Sequence, residues 1–188
     1  MSLQKTNVRN YVLVGAVIAA IAMRLVNTQV PALSNFTPVG AVALFGGAYF
    51  TDKWKAYLVP LITLVISDLL INYIYTSTFF AFYASSLWMY GCFMLMVYIG
   101  SLIRKVNIGS VAMASLAAVL IHWLVMDLPV VYGIPFTWAG YGALLVKAIP
   151  FELNMLIADA AYGAILFGGF ELAKSKYTLL QPKKQLSL

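Results

Sequence analysis

Cysteine and histidine are almost missing from this chain: Cys92 and His122 are the single members of their kinds. A lone cysteine inside an apolar run excludes an internal disulfide and a cysteine-rich metal site. A metal held by His122 would need three or four ligands, and only Asp127 stands near it in sequence, so no metal or other cofactor is expected. A hydrogen-bonded structural role suits this histidine better. Charge is scarce as well, at 10% of residues against about 25% in soluble domains. No base stands in a recognisable motif around Cys92 or the serines. Neither Gly46-Gly47 nor Gly168-Gly169 is followed by the Lys-Ser/Thr of a phosphate loop. Enzyme chemistry is therefore not expected.

What the chain has is apolar length. Hydrophobic residues fill 63% of its 188 positions, in long runs divided by short polar breaks. This predicts an all-α, polytopic membrane protein, a single integral membrane domain over residues 1–188 set in membrane lipid. No stretch within it is left for an ATPase or a soluble enzyme. The formal charge of +6 does not point to nucleic acid, because the basic residues sit in short clusters between apolar runs. Ala20-Ile21-Ala22 only weakly resembles a cleavage site, and the first run fits the span count below.

The spans are predicted at about 11–26, 39–50, 56–75, 87–103, 109–127 and 150–173, with a basic tail over 174–188. Pro60 falls in the first turn of the third. The Gly- and aromatic-rich stretch from Val130 to Ile149 reads as a loop plus a short interfacial helix. The second span is anomalous. Thr37 is a candidate N-cap and Pro38 suits the first helical position, which starts the helix near Val39. Val39 to Phe50 then covers roughly 18 Å against about 30 Å of hydrocarbon. The segment before it, Asn27 to Thr37, must fold into the protein to make up the length. Irregular backbone at that depth is tolerated only where protein buries it or a wet cavity adjoins it.

Cationic residues favour the cytoplasmic side of a membrane. With the N- and C-termini inside, Lys5, Arg9, Lys53, Lys55, Arg104, Lys105, Lys174, Lys176, Lys183 and Lys184 all fall there. A multi-pass protein of the inner (cytoplasmic) membrane is the expected location. Arg24 and Lys147 do not fit, and of the acids Asp68, Asp127, Glu152 and Asp159 lie in the membrane or on its outer side. Counting along each helix places Arg24 about 22 Å beyond Arg9 and Asp68 about 20 Å beyond Lys55. Both reach the outer level, where Asp127 and Glu152 also stand. A charge facing lipid costs at least about 2.5 kcal/mol, so these groups should face the interior, pair, or reach the headgroups. Arg24 is expected to pair with Asp68 or Glu152. Asp159, about 10 Å deeper than Glu152, has no partner legible in the sequence.

Aromatic residues gather at the same level, including Trp88, Trp123, Trp138 and Tyr141. They suit both an interfacial belt and the flat walls of a ligand site. The candidate lining of an outward-facing pocket is Arg24, Asn35, Thr37, Asp68, Asn72, Trp88, His122, Asp127, Tyr141 and Glu152.

Three blocks carry a family resemblance: NFTPVGAVALFGGAYF, VPLITLVISDLLIN and AIPFELNMLIADAAYGAILFG. They resemble an uncharacterised bacterial membrane family related to the S components of energy-coupling-factor (ECF) vitamin transporters. The resemblance spans most of Arg24 to Gly168. It implies an S-component-like bundle of six helices, an outward-opening pocket and uptake of a small vitamin- or cofactor-like molecule. It also implies a separate transmembrane subunit and two ATPases as partners, met through small residues on the first helix; Ala16 and Ala20 have that spacing. A cobalamin-binding relative of S components uses a cysteine after the third helix, and Thr76 to Ser86 contains none. Two other expectations stand beside uptake: an accessory membrane subunit that binds another protein, and a solitary proton-coupled carrier.

Overall fold

The computed structural model describes the backbone of residues 3–50 and 52–176, and side chains over 15, 17–50 and 52–172. Helices run over Leu3–Gln29 (α1), Val39–Tyr49 (α2), Lys53–Thr76 (α3), Ser86–Ser101 (α4), Ile108–Met126 (α5) and Trp138–Gly163 (α6). A π-helical turn, Ala164–Gly168, carries α6 into α7, Gly169–Lys176. No strand occurs among the described residues. Three helices, Lys53–Thr76, Ile108–Met126 and the continuous Trp138–Leu172, are long and apolar enough to cross a membrane, and the chain is a helical membrane protein. Apolar stretches over Val17–Gln29, Val39–Tyr49 and Ser86–Ser101 are shorter.

Helix α2 is the centre of the bundle. It is apolar on every face and buried from Val39 to Leu44 and again at Gly46 and Gly47, as a helix with no polar stripe must be. It packs against α3, α4 and α6. Its contact with α4 brings backbone onto backbone: a Cβ at Gly47 would run into the Val97 carbonyl, and one at Gly100 into the Leu44 carbonyl. Lipid is as apolar as leucine, so this seam holds by close van der Waals contact that only glycine permits. Lys53 Nζ donates to the Gly47 carbonyl at 2.8 Å, satisfying one acceptor at the end of α2.

The short second helix is as predicted, but its start is not. Pro38 occupies the N-cap position and no side chain caps the helix, so Thr37 does not serve. Helix α3 begins at Lys53, which puts Pro60 inside it rather than in its first turn. Helix α6 begins at Trp138, not near Pro150. Thr137 caps it by accepting from the Gly140 N–H at 3.0 Å, and Pro150 lies in its interior. Membrane helices carry an internal proline because neighbouring groups satisfy the freed carbonyl. The predicted interfacial loop is therefore half helix. Ala20 is fully buried in the chain's own core beside α3, so it is not a partner surface. The side chain of Ala16 and the tail beyond 176 lie outside the described residues.

Between α1 and α2 the backbone is irregular, with a 3-10 turn at Pro31–Leu33. Asn35 takes φ 65°, a left-handed conformation that asparagine tolerates better than most residues. Asn154 of α6 donates to the Ala32 and Ser34 carbonyls at 2.7 and 3.0 Å, and Asn27 of α1 to the Phe36 carbonyl at 3.3 Å. Two helices thus hold this segment by its otherwise unpaired carbonyls.

Candidate functional site

The first buried ion pair joins α1 to α3. Arg24 Nη2 donates to Asp68 Oδ1 at 2.5 Å, and the Tyr90 hydroxyl of α4 donates to Asp68 Oδ2 at 2.9 Å. Both carboxylate oxygens are thereby satisfied, which a buried charge requires. Tyr90 also lies 3.0 Å from the Ala81 carbonyl, tying the loop before α4 to the pair.

The second polar group lies between α5 and α6 and has two rungs. His122 Nδ1 meets Glu152 Oε1 at 2.9 Å, and the Ser115 hydroxyl donates to Asp159 Oδ2 at 3.0 Å. Ser115 and His122 stand two turns apart on α5, as Glu152 and Asp159 do on α6, so the rungs share one face of each helix. Asp159 is the partnerless acid of the sequence, and its surroundings are now plain. Besides Ser115, it faces the first turn of α2: Gly40 lies directly against its Oδ1, and the Ala41 N–H interacts with the carboxylate. The positive end of α2 is therefore turned to an acid of the chain itself. Gly40 is required here because any Cβ would displace that carboxylate.

Arg24, Asn35, Thr37, Met89, Phe93, His122 and Met155 line a half-open cavity of about 50 Å³. It is bounded by α1, the irregular segment, α4, α5 and α6. The two bases line it; the carboxylates of Asp68 and Glu152 stand behind them. Three apolar side chains form the remaining wall, and the Phe93 and His122 rings meet edge-on with centroids 6.2 Å apart. The space holds a few waters, at roughly 10–15 Å³ each, and is well below the roughly 300–1,000 Å³ of ligand pockets. Arg24 Nε, Asn27 Oδ1, Glu152 Oε2 and Asp159 Oδ1 are buried without a hydrogen-bond partner among the described residues.

Of the ten predicted lining residues, Arg24, Asn35, Thr37 and His122 line the cavity, and Asp68 and Glu152 orient two of them. The other four do not meet it. Asn72 donates to the Phe80 carbonyl at 2.7 Å, closing the loop after α3. Trp88 lines an apolar groove of about 440 Å³ with Leu87, Gly91, Cys92, Leu95 and Val125. The Tyr141 hydroxyl donates to the Leu124 carbonyl at 2.7 Å. Asp127 accepts from the Tyr132 hydroxyl at 3.1 Å. Burial pushes the Asp127 carboxyl above its usual range, although the Tyr132 hydrogen bond pulls it down. Burial and the neighbouring Asp127 push Tyr132 up as well. Lys147 is exposed. The sequence reading missed Met89, Phe93 and Met155 in the wall, Tyr90 behind Asp68, and Ser115. The matched two-turn spacing on α5 and α6 was the available signal for Ser115. No group of three or more metal-ligating side chains occurs among the described residues.

Residues 4–184 match the model of a family described only as a family of unknown function (DUF6580). No curated protein and no solved structure matches the chain.

Proposed function

We propose a role for this chain, which belongs to the family of unknown function (DUF6580), from its site alone: it binds a small vitamin- or cofactor-like molecule in the membrane for uptake. The observation that carries this reading is the cavity whose polar wall is built from the Arg24–Asp68 ion pair and the His122–Glu152 hydrogen bond, and whose other wall is Met89, Phe93 and Met155. Few placed polar groups against a flat apolar surface is the composition of a small-molecule site. Buried ion pairs are weak stabilisers compared with apolar packing, which favours a use for them beyond stability. The protein then resembles the S component of an ECF transporter: six spans in the cytoplasmic membrane, both termini inside, an energising module supplied by other subunits, and no chemistry of its own. At about 50 Å³ the cavity must widen to admit a ring-sized ligand, and the irregular segment between α1 and α2, held through side-chain hydrogen bonds from Asn27 and Asn154, is the wall we take to move.

The test is native mass spectrometry of the protein purified in mild detergent, followed by thermal unfolding with a vitamin panel. A ligand at 100 times its dissociation constant adds about 2.7 kcal/mol. Arg24→Ala should abolish that gain. Absence of both a co-purifying molecule and any stabilising vitamin would reject the reading. The small cavity volume favours a second one, an accessory membrane subunit whose ion pairs are purely structural. In that case the same substitution lowers stability, no ligand response exists to be lost, and a protein partner co-purifies in fixed ratio.

A further inference from the structure

Among the described groups lining the cavity, His122 is the one whose ring nitrogen turns from acceptor to donor when it gains a proton. Its Nδ1 is committed to Glu152 Oε1 at 2.9 Å, while its Nε2 makes no hydrogen bond within the described chain. A carboxylate only accepts, so when the pair holds a single proton that proton sits on Nδ1 between the two groups, and Nε2 carries a bare lone pair. A second proton that enters the ring or the shared hydrogen bond has two resting places. Either His122 becomes an imidazolium against ionised Glu152, or Glu152 becomes an acid donating to Nδ1 of a neutral ring. In both cases Nε2 ends as N–H. Nε2 thus becomes N–H wherever the second proton enters the ring or the hydrogen bond at Nδ1, whereas a proton on the unpartnered Glu152 Oε2 would leave it bare.

We propose that the His122–Glu152 pair is a proton-controlled recognition element, which accepts from a ligand N–H or O–H donor when it holds one proton and donates to a ligand carbonyl or carboxylate when it holds two. This rests on the small-molecule reading of the cavity. Groups on every neighbouring element bear on the pair. From α6, Asp159 lies within electrostatic reach of His122. From α4, Cys92 lies near Glu152, and the Phe93 ring covers one edge of the imidazole. Across the cavity stands Arg24 of α1, already neutralised by Asp68 of α3. Asp127, at the end of α5 itself, feels both members of the pair. The buried stretch of α2 contributes no titratable group. Since Arg24 is balanced by Asp68, the charge presented to a ligand is decided by the pair.

His122 is the chain's single histidine, so ¹⁵N-histidine labelling of the full-length protein in detergent gives one unambiguous signal set. Long-range ¹H–¹⁵N spectra from about pH 5 to about pH 9 should show Nδ1 protonated at the alkaline end and Nε2 bare. On acidification Nε2 should gain its proton. Glu152→Gln, which replaces an obligate acceptor by an amide able to present either its oxygen or its N–H to Nδ1, should release the alkaline form from the pure Nδ1–H tautomer toward the Nε2–H one. Wild-type protein already in the Nε2–H form at the alkaline end, or Nε2 unchanged across the range, would overturn the proposal. If the Gln variant does not fold, the wild-type spectra decide alone. No ligand is used, so a failed vitamin screen rejects the uptake reading without altering this result.

Discussion

The seam between α2 and α4 and the seam between α5 and α6 are built on opposite principles. The first is dry: glycine lets backbone touch backbone at Gly47 and Gly100, and the surrounding core is Leu44, Met96 and Val97. The second carries a histidine, two acids and a serine, and leaves two carboxylate oxygens without hydrogen-bond partners. Close packing tolerates almost no displacement, whereas a polar seam with spare hydrogen-bonding capacity can exchange protons, waters or a ligand. The difference assigns shape to α2 and α4, and chemistry to the groups they position.

That contrast can be broken at four points. The largest effect belongs to Asp68→Ala, which strands the Arg24 guanidinium in a buried setting and should cost about 3–5 kcal/mol in thermal unfolding. Replacing both partners by apolar residues, Arg24→Met with Asp68→Leu, should recover most of that stability. The double variant should nevertheless lose any ligand response, which separates fold from function. Next comes Gly100→Ala. The atom it meets is backbone and cannot swing away, so the loss should be about 3 kcal/mol, and it should be the same at every pH. A pH-dependent loss there would mean the dry seam is wet. Ser115→Ala, which removes a hydrogen bond from a buried carboxylate, should cost about 2 kcal/mol.

The smallest effect is Asp127→Asn, about a few tenths of a kcal/mol, and its sign follows from linkage. Burial raises the folded-state value of Asp127, so the native protein holds this proton to higher pH than the unfolded chain does. The resulting stabilisation is present at acid pH and is lost as pH rises through the raised value. Asparagine has no such loss. Its advantage over aspartate should therefore grow from acid to neutral pH, and a flat difference across that range would remove the buried character assigned to this site.

Much of this architecture is visible in the residues. The short second helix and the interior pairing of Arg24 follow from hydrocarbon thickness and from the cost of a lone charge, and both rules are strong. What stayed hidden depends on which helix faces which. Glu152 was an alternative partner for Arg24, yet it pairs with His122, because only tertiary packing chooses between acids at one depth. Asp159 had no legible partner, since a hydroxyl on another helix and the backbone of Gly40 and Ala41 leave no charge pattern. The start of α6 was obscured by Gly140, Gly142 and Pro150, which act as breakers in water; Thr137, a good N-cap, was the better guide. Trp88 shows the limit of counting depth, which sets a residue's level and not the face it turns outward.

The two rungs between α5 and α6 also have a mechanical meaning. Because their spacing matches on both helices, sliding one helix past the other by a single turn, about 5.4 Å, would break His122–Glu152 and Ser115–Asp159 together. The two rungs thus resist such a slide together, like the teeth of a rack, and a register shift between α5 and α6 would have to break both at once.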